Sequence, residues 1–266
     1  MDLKDVLCLG VAGNFAHHLE QAGELEDFKN VMTDEADAPK GIFPFYLPNS
    51  KCFLGLYSIG TRVLNLPAYE ANAQVEPEIA VLFDIVYDKD KNILDLLAKK
   101  FTTFNDCTIR KEGAKKISEK KSWGINSKGI GNKWIPIDKF EEGGVMDNYH
   151  LCSFVKRDGV MYPYGVDAPL LGYSYFYEKL KNWLIDKMNT QEDFDPLENI
   201  AEHLKACGYP RQVFVSIGAT AYAEFGEYNY LEEGDEVFVI AYDKYCDNAD
   251  FSVSSTKVIL QQKVQS

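Results

Sequence analysis

The sequence reads as a mainly β protein of the α+β class with a few peripheral helices, on three observations. Short apolar segments rich in β-branched and aromatic residues recur along the chain, bounded by glycine or proline. Apolar stripes at helical spacing are few, one after residue 14 and two between 175 and 207. Strands and helices do not alternate, so the βαβ repeat of a parallel sheet is missing.

The first strand is predicted at 6–9, followed by the turn Gly10-Val11-Ala12-Gly13. A helix follows, with Asn14 as its N-cap and Phe15, Leu19 and Ala22 on one stripe. Residues 33–40 are acidic and irregular. Between 43 and 67, Pro44, Pro48, Gly55, Gly60 and Pro67 break the chain into short strands with tight turns. A strong strand follows at 79–87, and a further strand is read over 101–110. Residues 111–139 are basic and glycine-bearing, and read as one long loop. Residues 149–155 and the turn Arg157-Asp158-Gly159 form a hairpin. Ser174 is placed to cap a helix over 175–188, with Phe176, Leu180, Trp183, Leu184 and Met188 on its apolar face. Asp195-Pro196-Leu197-Glu198 has the pattern of a capping box for a second helix, which Gly208 stops. Strands return at 213–217, 236–242 and 257–260. No repeat or linker divides the chain, which is read as one domain over 1–266.

Composition bounds the function. A chain of 266 residues should expose about 12,000 Å² when folded, enough burial for a core without covalent staples. The formal net charge of −13 repels phosphate backbones, which argues against nucleic acid or an anionic membrane as partner. No apolar run reaches the ~18 residues of a membrane span. The N-terminal Met-Asp-Leu-Lys-Asp lacks the basic start of a signal peptide. Six dispersed cysteines, none in a C-x-x-C pair, read as reduced thiols, and the expected location is cytoplasmic.

Three groups of residues carry chemical promise. In Gln74-Val75-Glu76-Pro77-Glu78, the two glutamates stand two apart at the mouth of an apolar strand, so they point the same way. Like charges so placed are costly unless a cation or an arginine compensates; the alternative is a solvated strand end. In Phe104-Asn105-Asp106-Cys107-Thr108-Ile109-Arg110, an extended chain puts Asp106, Thr108 and Arg110 on one face. With Asp106 on the neighbouring strand, three carboxylates make a site for Mg²⁺ or Mn²⁺, and Arg110 can clamp a substrate carboxylate. The alternative is an Asp–Arg surface pair. Last, His17 and His18 follow the glycine turn, where one histidine could act as a general base; adjacent histidines cannot share a helix face.

Taken in order, these stretches resemble the fumarylacetoacetate hydrolase superfamily. The motifs are Asn14-Phe15-Ala16-His17-His18, Glu76-Pro77-Glu78, Asn105 through Arg110, Lys121-Ser122-Trp123-Gly124, Gly218-Ala219-Thr220 and Leu231-Glu232-Glu233-Gly234-Asp235. The resemblance implies rolled mixed β-sheets, a divalent ion on Glu76, Glu78 and Asp106, and a homodimer. It implies a small oxo-acid or diketo-acid substrate contacted by Arg110 and Thr220. His18 would activate water, and Lys121, across the pocket from the metal, would stabilise a departing enolate. The expected function is C–C bond hydrolysis of acylpyruvate-type acids, or oxo-acid decarboxylation.

The sequence also departs from the family. Gln21 stands where hydrolytic members carry a carboxylate, which favours an isomerase or lyase of the same fold. Lys111 replaces the aspartate after the family's arginine, Ala221 the proline of the turn, and 187–207 reads as an added helical element. These changes leave a catalytically silent metal-bound protein as a further alternative. A dinucleotide fold at Gly10–Gly13 lacks the three-glycine spacing.

Overall fold

The computed structural model describes residues 3–15, 18–21, 25–33, 35–69, 71–111 and 113–266, with the backbone alone at 18, 19 and 25. In chain order the strands begin with β1 (Leu7–Ala12), β2 (Gly41–Tyr46), β3 (Ile59–Gly60), β4 (Val63–Asn65) and β5 (Ala73–Gln74). Next come β6 (Pro77–Tyr87), β7 (Ile93–Asn105), β8 (Thr108–Ile109), β9 (Lys128–Ile130) and β10 (Ile135–Pro136). The last are β11 (Tyr149–Arg157), β12 (Val160–Pro169), β13 (Gln212–Ser216), β14 (Glu236–Asp243) and β15 (Lys257–Gln265). The helices are α1 (His18–Gln21), α2 (Ser118–Lys121), α3 (Tyr177–Thr190), α4 (Ile200–Ala206) and α5 (Glu224–Tyr228).

Two mixed sheets dominate. The larger runs β2-β1-β13-β6-β7-β9-β3, with β10 also on β7; the smaller runs β12-β11-β14-β15-β4. Strand β6 explains the layering. Ile79, Val81 and Phe83 enter a core shared with Leu151, Val155, Val237 and Val239 of the smaller sheet. Ala80 and Leu82, pointing the other way, join Phe43, Phe45, Phe104 and Phe214 in a second core. Burial on both faces is why 79–83 is an unbroken apolar run rather than an alternating one. Pro44 is tolerated within β2 because that strand is the sheet's edge, pairing only with β1. The accessible surface, 11,876 Å², equals the expectation for this size, and all six cysteines are free thiols. Among the described residues no helix is long and apolar enough to cross a membrane.

The hairpin at 149–159 and the strands near 79, 213, 236 and 257 form as expected, β15 running on to Gln265. Several local expectations are corrected. Asn14 caps no helix: within the described residues, helical turns cover only His18–Gln21 and Leu25–Phe28. It is buried, donating to the carbonyls of Tyr175 (2.9 Å) and Ile217 (2.8 Å) and accepting from the Tyr175 N–H (2.8 Å). Because Asn14 holds this segment extended, α3 starts only at Tyr177, and Ser174 gives its N–H to the Asn14 carbonyl instead of capping. The strand predicted over 101–110 breaks after Asn105, where the chain leaves β7 to pair β8 with β5. The segment 111–139 contains α2, β9 and β10 rather than one loop.

The capping box at Asp195 is also overturned. Asn199 caps α4 instead, its side chain accepting the Glu202 N–H at 3.0 Å. Residues 195–198 brace the start of α2: the Pro196 carbonyl accepts from Ile117 N–H (3.1 Å), and Leu197 and Asp195 carbonyls accept from Lys116 Nζ (2.6 and 3.0 Å). Glu198 is buried there and accepts a short hydrogen bond from Ser118 Oγ.

Two expected outcomes test this packing. Asn14→Ala strands two carbonyls and one N–H in the core, which should cost about 3–5 kcal/mol; a denaturant titration showing under about 1 kcal/mol would contradict it. Burial pushes the Glu198 carboxyl up from 4.5 to about 7. Between those values the folded protein keeps a proton that the unfolded chain has lost, so stability falls as pH rises through that window, by order 3 kcal/mol. Glu198→Gln should therefore gain on the wild type between about pH 5 and about pH 8; a stability difference that does not change with pH would refute the assignment.

Candidate metal centre

The antiparallel β6–β7 pair brings the acidic residues together. Pro77 pairs with Asn105 and Glu78 with Phe104, and beyond the last pair the Asp106 N–H donates to the Glu76 carbonyl at 3.0 Å. The Asn105 side chain accepts the Glu76 N–H at 3.2 Å and donates to Gln262 Oε1 at 3.1 Å, which fixes the turn. Glu76, Glu78 and Asp106 are all buried, each with a ligand oxygen within 4.8 Å of the others. The expected i, i+2 pair and the third carboxylate from the neighbouring strand are thus brought together.

Two lysines meet this cluster. Lys121, the last residue of α2, puts its ammonium against Glu76 Oε2 and 2.9 Å from Asp106 Oδ2. It does not lie across a pocket from the carboxylates, as the resemblance had implied, but directly on two of them. The Phe43 ring forms the floor, 5.3 Å below the ammonium, and Gly10 is required beneath it because a Cβ there would come within 2.3 Å of that ring. The second lysine, Lys128 of β9, is fully buried, with its ammonium 2.8 Å from Asp106 Oδ1 and 2.6 Å from the Cys107 carbonyl.

Glu78 is held by the backbone. Its Oε2 accepts the Gly218 N–H at 2.9 Å. Gly218 has φ +114°, and a Cβ there would lie 2.8 Å from Asn14 Cβ, so both conformation and space demand glycine. Asn14, through Ile217, and the Tyr173 hydroxyl, donating to the Gly218 carbonyl at 2.8 Å, fix this turn. Thr220 is buried in the same turn and gives its N–H to the Pro77 carbonyl at 3.2 Å, between the two glutamates.

With every group ionised, three carboxylates and two ammoniums would carry one surplus negative charge, a state that burial opposes. Burial raises the Glu78 carboxyl well above its usual range, and the charge of Asp106 adds to the rise. Burial lowers the Lys128 ammonium, against the pull of Asp106. A compact all-oxygen donor set suits a hard divalent cation, whose charge would favour the ionised form of Glu78. The residues present therefore fit such an ion.

The remaining predicted residues lie around the cluster. Arg110 is not on a common strand face with Asp106, since the strand breaks between them; its Nε donates to Gln74 Oε1 at 2.8 Å. Gln74 in turn donates to the Gly226 carbonyl at 2.9 Å. Gln21 grips the main chain of Tyr222, accepting its N–H at 2.8 Å and donating to its carbonyl at 3.3 Å. His17 lies outside the described residues, as does the side chain of His18. Sequence reasoning missed Lys128 and the Gly218 amide. A lone lysine inside Ser127-Lys128-Gly129-Ile130 signals a strand interior only once β9 is recognised, and a backbone donor leaves no side-chain trace beyond the glycine itself.

Comparison with known proteins agrees with this architecture. Solved structures of similar fold include an HpcE protein from Mycobacterium smegmatis, at 14% identity and TM-score 0.58, matching 98% of this chain and 75% of that one. A fumarylacetoacetate hydrolase family protein from Yersinia pestis CO92 matches at 13% identity and TM-score 0.53, over 98% and 94% of the two chains. A 2-keto-3-deoxy-D-arabinonate dehydratase complexed with magnesium and 2,5-dioxopentanoate matches at 15% identity and TM-score 0.55, over 97% and 72%. A comparison with curated proteins finds no match. A family model described as a family of unknown function, DUF5718, matches residues 24–264. The chain belongs to that family, DUF5718, and carries the fold of the fumarylacetoacetate hydrolase superfamily.

Proposed function

We propose that this protein is a divalent-metal-dependent enzyme acting on small oxo or diketo acids, by C–C bond hydrolysis or by decarboxylation. The observation that carries the reading is the buried Glu76–Glu78–Asp106 cluster with the Lys121 ammonium upon it. The likeness of fold to a dehydratase complexed with magnesium supports it. In this reading the three carboxylates hold Mg²⁺ or Mn²⁺, which when bound supplies Lewis acidity to a substrate carbonyl. Lys121 turns part of its charge to the substrate and stabilises the enolate oxygen that develops as the bond breaks. Arg110 and Thr220 contact the substrate's outer carboxylate and carbonyl, and His18 takes the proton from water if the reaction is hydrolytic.

A second, non-hydrolytic reading, an isomerase or lyase, is favoured by Gln21. A carboxylate at that position would orient and charge-stabilise a histidine base. Gln21 carries no charge, and its amide is engaged at both ends with Tyr222. A hydrolase needs that base; a decarboxylase or other lyase needs only the electron sink.

The tests separate metal binding from chemistry. Glu78→Gln removes one of three anionic ligands and should weaken Mn²⁺ binding by roughly tenfold or more in calorimetry; unchanged affinity would show that the ion binds elsewhere. Lys121→Met should tighten Mn²⁺ by about tenfold, because the ammonium competes for the same oxygens and repels the dication. The same variant should lose ~10²–10³ in turnover on a panel of acylpyruvates and oxaloacetate-like acids. If His18→Ala is inactive as well, the reaction is hydrolytic; if it survives, a decarboxylase or lyase is indicated. A wild-type protein that turns over no acid in the panel with Mg²⁺ or Mn²⁺ present would refute the enzymatic reading and leave a silent metal-bound protein.

A further inference from the structure

We propose that the cleft between α3 and the chain leading into β2 is a second small-molecule site, built for a flat apolar body that carries one negative charge, an aromatic acid anion. The cleft shares no residue with the acidic cluster or its lysines. The inference does not rest on the metal reading.

The cleft holds about 440 Å³, a volume ordinary for a ligand pocket. Its walls are set in place by the fold. Gln191 Oε1 accepts the Ile42 N–H at 2.8 Å, and its Nε2 donates to the carbonyls of Ile42 (2.7 Å) and Glu198 (2.8 Å). Leu197 packs so closely on β2 that a Cβ at Gly41 would lie 2.4 Å from it. Tyr175 has its N–H and its carbonyl both bonded to the Asn14 side chain, and the Lys179 ammonium stands 4.0 Å from its ring. Gln191, Leu197 and Phe194 belong to the stretch 187–207, which the metal chemistry leaves unused.

The lining names the ligand's chemistry. The Trp183 ring meets Tyr175 edge to face, with centroids 6.3 Å apart. Two further lining residues, Met32 and Phe194, are 91% and 53% exposed. Large apolar side chains gathered round a cavity and open to water gain free energy when a ligand covers them. Aromatic walls favour a flat ring, which they can stack on or meet by the edge. Lys40 supplies the charge: it lines the cleft half-buried and forms no ion pair among the described residues. Lys187 is already paired with Asp186 at 3.2 Å, and Glu192, the acidic lining residue, is exposed to water. A partly desolvated ammonium beside apolar walls gains most from an anionic group.

Fluorescence titration of the full chain with two probes tests the assignment: anilinonaphthalene sulfonate, an aromatic anion, and phenylnaphthylamine, its uncharged counterpart. The wild type should bind the sulfonate saturably, at least about fivefold more tightly than the amine. Lys40→Met should remove that preference by weakening the sulfonate alone. Phe194→Ala, at an exposed position, should weaken both probes by about tenfold, and Trp183→Ala by at least as much. Phe53→Ser, on another exposed apolar patch, should change neither. No saturable binding by the wild type overturns the proposal, as does equal affinity for the two probes. Sulfonate binding that survives Phe194→Ala and Trp183→Ala, or that is lost in Phe53→Ser instead, places the probe elsewhere and also overturns it. Should Trp183→Ala fail to fold, Phe194→Ala and Lys40→Met still decide.

Discussion

Burying three carboxylates within 4.8 Å of one another is the constraint around which the site is arranged. Desolvating each charge costs several kcal/mol, which only close opposite charges and hydrogen bonds can offset. Lys121 and Lys128 supply two positive charges, and the Gly218 N–H supplies a directed dipole. Each depends on a further layer. Lys121 is delivered by a four-residue helix that is too short to be stable alone, so residues 195–198 brace its start. Its ammonium rests on Phe43, whose ring fits only because residue 10 is glycine. Gly218 is held by Asn14 and Tyr173, which tie the first strand's exit to the start of α3.

This dependence explains why so much chain surrounds a few atoms of chemistry. β6 is buried on both faces, and its end cannot shift without moving both cores. Glu78 is carried within β6, with Glu76 and Asp106 at the adjoining ends of β6 and β7, while the lysines come from α2 and β9. Gln21 is a neutral amide fastened to the main chain of Tyr222 at both ends.

Much of this was legible in the sequence. The pair Glu76 and Glu78 at a strand mouth, with Asp106 on the next strand, needs only the pleat period and an antiparallel neighbour to be recognised. The long apolar runs marked β6 and β13 because burial on both faces leaves no alternation to misread. What failed was local punctuation governed by distant partners. Asp195-Pro196-Leu197-Glu198 has the pattern of a capping box, yet its carbonyls serve Lys116 and Ile117, 79 to 81 residues away. Asn14 has the chemistry of a cap, yet it bonds to strands and loops more than 160 residues on. Arg110 was expected beside Asp106 because alternation was carried past Asn105, where the strand in fact breaks. Lys128 lay in a run that read as loop, so its burial against Asp106 left no periodic signal.

The account stands or falls on whether a divalent ion occupies this cluster. Anomalous diffraction at the manganese edge, from crystals equilibrated with MnCl₂, addresses that directly. The account predicts one strong peak bonded to oxygens of Glu76, Glu78 and Asp106, with the Lys121 ammonium displaced from at least one of them. A peak elsewhere, or none at this cluster with Lys121 still in place at saturating manganese, would contradict it.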